Sequence, residues 1–212
     1  MTRRVVLATH NEHKVTELQQ ILGEADLDLE IVSMTAFPEV GEIAETEVTF
    51  VGNARLKAEH VAQRTSLPAL ADDSGLTVEV LGGSPGIFSA RWSGQHDSED
   101  LSRAEKDRRN LQLLLDQLAD VREEHRRAAF RCAAVLAIPG GTTVEAEGEV
   151  AGVIVREPLG DNGFGYDPIF VPDGDTRTLA QYADEEKNAI SHRGRAFRAM
   201  VPLLREHLPV AP

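Results

Sequence analysis

Short apolar runs alternate with amphipathic stretches along this chain. Val5-Val6-Leu7-Ala8 is continuously apolar, as in a strand buried on both faces. A polar turn, Thr9 to Lys14, leads into a helix predicted from about Asn11 to Leu22, with Val15, Leu18, Ile21 and Leu22 on one stripe and Gly23 as its stop. Leu27 to Val32 alternates like a second strand, and Thr35 to Glu45 reads as loop. A second helix is predicted over about Thr46 to Thr65, where Val51, Ala54, Ala58, Val61 and Ala62 recur at helical spacing. Leu67 to Asp72 and Thr77 to Leu81 read as two strands, with Gly82 to Gly86 a turn-rich loop. Glu99 to Leu118 is a polar, amphipathic helix. Ala128 to Ile138 and Thr143 to Val155 are two long strands joined as a hairpin at Pro139-Gly140-Gly141. After a glycine-rich loop, Pro158 to Gly165, come a short strand at Pro168 to Val171 and a last helix, Ser191 to Leu204.

The long hairpin interrupts a pure βαβ rhythm. The expected fold is therefore α/β, with a mixed, twisted β-sheet, flanking helices and two lobes around a central substrate cleft, not a simple Rossmann sheet. The chain, 1–212, is read as a single domain of two lobes.

Composition narrows the function. Net charge is −13, which argues against sequence-independent binding to a nucleic-acid backbone. It leaves room for a small anionic substrate held in a local basic pocket. The single cysteine, Cys132, lies in an apolar strand and reads as a buried thiol, in keeping with a reducing cytoplasm. Val5 to Ala8 is too short for the apolar core of a signal peptide, and no apolar run approaches membrane-spanning length.

Five polar clusters carry candidate chemistry. Thr9 to Lys14 sits at a strand-to-helix turn, where free N–H groups and Lys14 suit a phosphate. Glu45 precedes a helix that carries Asn53 and Lys57 on one face; with Asp73 it is a candidate ligand for a divalent cation, and Glu42 and Glu47 compete for that role. Asp72-Asp73-Ser74-Gly75 follows an apolar run. Two adjacent carboxylates in a dry site repel, so one pKa rises unless a cation intervenes, which serves a metal ligand and a general base. In Gly163-Phe164-Gly165-Tyr166-Asp167-Pro168, glycines allow close backbone approach, and Phe164 and Tyr166 offer faces for stacking on a base. Ser191 is a good N-cap, which places His192 and Arg193 in the first turn of the last helix, near an anion or carbonyl-bearing ligand.

In this order the motifs resemble the inosine/xanthosine triphosphate pyrophosphatases, house-cleaning enzymes of the nucleotide pool. The matching residues are Leu7-Ala8-Thr9, Asn11 and Lys14; Glu45-Thr46, Thr49-Phe50, Asn53-Ala54 and Lys57-Ala58; Ala71 to Leu76; Pro85-Gly86-Ile87 and Ser89-Ala90-Arg91; Gly163 to Pro168; and Ser191-His192-Arg193. The resemblance runs from about Val5 to Leu204. It implies a homodimer and Mg2+-dependent hydrolysis of ITP, dITP and XTP to the monophosphate and pyrophosphate. By this likeness, Thr9, His10, Asn11, Glu12, His13, Lys14 and Lys57 would hold the triphosphate, with Asn53 beside them. Glu45 and Asp73 would hold Mg2+, with Asp73 the proton acceptor and Asp72 its neighbour. Ser74, Phe164, Gly165, Tyr166, Asp167, Lys187, His192 and Arg193 would contact the nucleotide. His10 and His13 stand where similar proteins commonly have a small residue, and Ala44 where some have a second carboxylate. The competing readings are a Maf-like pyrophosphatase of pyrimidine triphosphates and a non-catalytic nucleotide-binding protein.

Overall fold

Val5 and Leu7 face one side of a strand and Val6 the other, and all three are fully buried. Helices must therefore cover both sides of this strand, which is why its sequence is continuously apolar. The computed structural model describes residues 3–9, 12–94 and 101–208, with residues 12 and 13 as backbone only. The chain divides into two compact units. The first comprises Met1–Asp73, Cys132–Gly148 and His192–Pro212, and the second Ser74–Arg131 and Glu149–Ser191.

In the first unit, β1 (Arg3–Leu7) lies between β2 (Leu29–Ser33) and β3 (Ala69–Val78), parallel to both. On one face, Val5, Leu7, Leu70, Cys132, Ala134 and Leu136 pack with α1 (Glu12–Glu24) and α5 (His192–His207). On the other, Val6, Ala69, Ala71, Ala133 and Val135 pack with Ala54, Ala58, Val61 and Ala62 of α2 (Phe50–Thr65). Small residues on that side let α2 approach the strands closely. Cys132 is buried, and burial, then the nearby Asp72 carboxylate, push its thiol pKa up, so it is inert.

In the second unit, Leu111, Leu114 and Leu115 of α3 (Arg103–Gln117) and its C-cap Leu118 pack on Leu76, Val78, Phe130, Val150 and Ile154. Phe130 meets Phe170 edge to face, with ring centroids 4.8 Å apart. Arg126 is 2% exposed, and its guanidinium donates to the carbonyls of Leu118, Ile154 and Val155 at 2.6, 2.8 and 3.0 Å. A buried cation here closes the end of α3 and the end of a strand at once.

The sheet order is β2-β1-β3-β4-β5-β6, with β4 at Arg127–Ala137, β5 at Thr143–Ile154 and β6 at Phe170–Pro172. β6 runs antiparallel to β5, so the sheet is mixed, as expected. Most predicted elements are present within a few residues. Four differences matter. α1 continues through Gly23 to Glu24. α2 begins at Phe50, four residues later than expected, because the Thr49 side chain accepts the Gly52 N–H and caps it. A further helix, α4 (Asp184–Ile190), precedes α5. Most consequential, Asp72 and Asp73 do not end a strand: β3 runs unbroken from Ala69 to Val78. Gly75 permits this. A Cβ there would lie 2.5 Å from both the Gly86 carbonyl oxygen and the Ser89 Oγ.

Candidate active site

Neighbouring residues of a strand point to opposite faces, and that rule separates the two carboxylates. Asp72 shares the face of Leu70, toward α1 and α5. It is 3% exposed and accepts from Lys14 Nζ at 2.8 Å on both oxygens, and from Arg193 Nε at 3.3 Å. Burial works against its charge, but Lys14 and Arg193 outweigh burial and hold its carboxyl well below the usual range. Arg193 in turn reaches Glu17 at 3.7 Å. Asp72 is thus a permanently ionised anchor. The expected sharing of one dry site by Asp72 and Asp73 is corrected: β3 continues through them, so successive side chains diverge. The Arg193 guanidinium lies between the carboxylates of Asp72 and Glu17.

Asp73 shares the face of Ala71, toward α2. Asn53 Nδ2 donates to Asp73 Oδ2 at 3.0 Å, and Lys57 Nζ lies 3.5 Å from Asp73 Oδ1. Lys57 also donates to Glu45 Oε1 at 2.9 Å. Burial raises the Asp73 pKa; Lys57 opposes this, the Glu45 charge adds to it, and the balance is upward. Burial disfavours the Lys57 charge, yet Asp73 and Glu45 raise its pKa overall, so it stays an ammonium. Asn53 is fully buried with both amide ends engaged, its Oδ1 accepting the Glu47 N–H at 3.0 Å. It therefore orients the Asp73 carboxylate. Of the competing glutamates, Glu45 is the one that meets Lys57, while Glu47 enters through its backbone.

Two carboxylates against one ammonium leave an excess of negative charge at Asp73 and Glu45. Their donor atoms are hard oxygens, which suit a divalent cation such as Mg2+. That ion needs one or two protein carboxylates and completes six ligands from water and phosphate. Among the described residues no group of three or more His, Cys, Asp or Glu side chains is placed to hold a metal ion.

At the strand-to-helix turn, Ala8 N–H donates to the Leu70 carbonyl at 2.8 Å, which ties the turn to the strand bearing the carboxylates. Thr9 follows, and Lys14 lies in the first turn of α1. His10 and Asn11, and the side chains of Glu12 and His13, lie outside the described residues. His192 opens α5, as predicted, and is half-buried.

The second unit carries the remaining predicted residues. Ser74 follows Asp73 along β3 and is half-buried. In the 163–167 loop, the buried Asp167 Oδ2 accepts from Phe164 N–H at 2.7 Å and Lys187 Nζ at 2.6 Å. Gly163 adopts φ +78°, and a Cβ there would lie 2.3 Å from that same Asp167 oxygen, so a side chain would strain the backbone and displace the carboxylate. Phe164 is 51% exposed, with Lys187 Nζ 4.7 Å from its ring centroid. Tyr166 does not offer the expected stacking face. It is 3% exposed, packs in the core and donates its hydroxyl to the Ser89 carbonyl at 2.9 Å.

Three residues in contact with predicted ones escaped the sequence reading: Glu17 of α1, which meets Arg193, Asp107 of α3, which accepts the Gly165 N–H, and Arg103 of α3, which lies beside the Phe164 ring. No local pattern distinguishes them from solvated helix charges; only their distant partners do.

Fold and site together define an α/β protein whose central strand delivers one charge-paired anchor and one base-like carboxylate to opposite faces. The chain belongs to the Ham1 family, whose model matches residues 5–203. It is 55% identical over 205 residues to the dITP/XTP pyrophosphatase of Streptomyces avermitilis, covering 97% of this chain and 98% of that one. Among solved structures, a HAM1 protein from Coxiella burnetii superposes with a TM-score of 0.85 at 41% identity, covering 96% and 99% of the two chains. The dITP/XTP pyrophosphatase from Mycobacterium abscessus superposes at 0.77 with 46% identity, covering 94% and 99%.

Proposed function

We propose that this protein is a nucleoside-triphosphate pyrophosphatase that hydrolyses dITP, ITP and XTP to the monophosphate and pyrophosphate, using Mg2+. The observation that supports it most is the inequality of Asp72 and Asp73. One is locked as an anion by two cations; the other has a raised pKa, is oriented by Asn53, and shares Lys57 with Glu45. Near-full-length relatives bearing the dITP/XTP pyrophosphatase name support the substrate class. One functional domain over 1–212 accords with a family match that spans both units.

In this reading Asp73 accepts the proton of the water that attacks the α-phosphorus, because both oxygens of Asp72 are already taken by Lys14 and Arg193. Asn53 holds the carboxylate in orientation. Asp73 and Glu45 would hold the divalent cation, which would supply charge neutralisation at the phosphate oxygens. Lys57 remains protonated beside them and stabilises the charge that builds as pyrophosphate departs. The Thr9 to Lys14 turn supplies donors for the outer phosphates. Asp72 keeps Lys14 in place for that task. His192, and in the second unit Ser74, Gly165 and the Phe164 ring, supply nucleotide contacts, with Asp167 and Lys187 shaping the loop. A donor to the 6-oxo group of the base is left unpaired by the 6-amino group of ATP, which is how adenine is rejected.

A cytoplasmic homodimer completes the proposal. Among the described residues no helix is long and apolar enough to cross a membrane, and mass measurement in solution tests the dimer. The activity is tested by pyrophosphate release across ITP, dITP, XTP, ATP, GTP, dUTP and TTP, with Mg2+ and with chelator. Release confined to the 6-oxopurines and lost with chelator is the expected result; preference for dUTP or TTP points to the pyrimidine alternative.

A further inference from the structure

The 163–167 loop is pinned at two successive amides by carboxylates from different elements. Phe164 N–H donates to Asp167 at 2.7 Å, and Gly165 N–H donates to Asp107 of α3 at 3.2 Å. Gly163 and Gly165 both have positive φ, at +78° and +61°, so the segment holding Phe164 is flanked by backbone with wide conformational freedom. Left unpinned, the Phe164 ring would sample many directions. Arg103, four residues before Asp107 and so on the same face of α3, places its guanidinium carbon 5.6 Å from the Phe164 ring centroid. An aromatic ring half exposed to solvent, with a cation from α3 and another from α4 close to it, is a prepared surface and not a core residue.

We propose that Asp107 is a positioning residue for the purine base: it fixes Phe164 through the Gly165 amide, and Arg103 flanks the same ring. This rests on the reading of the protein as a nucleoside-triphosphate pyrophosphatase. Asp107 touches the loop and none of the residues assigned to the cleavage step, which belong to the first unit. Its loss therefore weakens base binding equally in ground state and transition state, which raises KM and leaves kcat alone.

Steady-state kinetics with ITP, together with inhibition by IMP and by pyrophosphate, tests this on Asp107→Ala, Asp107→Asn and Arg103→Gln. Removing a charged acceptor from a loop amide is expected to raise both KM for ITP and Ki for IMP about tenfold in Asp107→Ala. Its kcat should stay within about twofold and its Ki for pyrophosphate should not move. Asp107→Asn keeps an acceptor for the amide and should recover most of the loss. Arg103→Gln, an exposed change that carries the test should Asp107→Ala fail to fold, is expected to raise the same two constants about two- to fivefold. Wild-type KM and Ki in the Asp107 and Arg103 variants of an active enzyme overturn the inference, as does a fall in kcat accompanied by weaker pyrophosphate binding. A wild-type protein inert toward ITP overturns the underlying functional reading as well, so the two failures are told apart.

Discussion

Asp72 and Asp73 carry the same side chain one peptide bond apart, yet physics gives them opposite tasks. Lys14 and Arg193 hold the Asp72 carboxyl well below its usual range, and its charge stabilises the fold. That stability is present above the ordinary carboxylate pKa and is lost only as pH falls through the depressed value. Asp72→Ala leaves Lys14 and Arg193 facing each other in a buried site, and a cost of about 3–5 kcal/mol is expected in denaturant titration. Asp73 works the other way. Its folded-state pKa is raised, so the contribution of its proton to stability is complete below the ordinary pKa and lost as pH rises through the raised value. At about pH 7 the ionised Asp73 thus opposes folding. Asp73→Asn is expected to melt higher than wild type there, with the gap closing in acid, while turnover falls about 100- to 10,000-fold. A melting temperature lowered by this change would contradict the strain assigned to Asp73.

At the scale of elements, positions were legible in the sequence but partners were not. The apolar run of β1, the α2 stripe and the β4–β5 hairpin all follow from local pattern, because each buries a face whose period is visible. The unbroken β3 was not legible, since Asp-Asp-Ser-Gly is turn chemistry by local rules. What overrides it is tertiary: cations from α1, α2 and α5 make mid-strand carboxylates tolerable, and Arg193 reaches Asp72 across 121 residues of chain. Tyr166 was misjudged for the converse reason, because a motif names an aromatic without saying which way it faces. Arg126 is a further element-scale case. Arg126→Ala orphans three carbonyls between α3 and β5, and a loss of about 3 kcal/mol is expected in equilibrium unfolding. A neutral result would show that water replaces the guanidinium.

For the molecule as a whole, a net charge of −13 sits beside a proposed substrate that is itself a polyanion. The proposed function therefore calls for local binding, with Lys14, Lys57 and a divalent cation as the candidate positive charges, and not for steering by the overall field. Chelation is expected to abolish turnover while leaving the fold intact, because buried Asp72 is already balanced by Lys14 and Arg193 and needs no ion. Circular dichroism before and after chelator checks this, and unfolding on chelation would assign the cation a structural role instead. The order of motifs along the sequence foretold the family, since it reflects chemistry that must converge whatever the intervening elements. The opposite surroundings of the two carboxylates emerge only from the folded chain.

Hydrolysis of ITP in water enriched in heavy oxygen, followed by mass spectrometry of both products, is the most direct measurement. Attack at the α-phosphorus with Asp73 as proton acceptor predicts label in IMP, none in pyrophosphate, and no appreciable label in either product for Asp73→Asn. Label in pyrophosphate, or undiminished labelling of IMP by Asp73→Asn, contradicts the account.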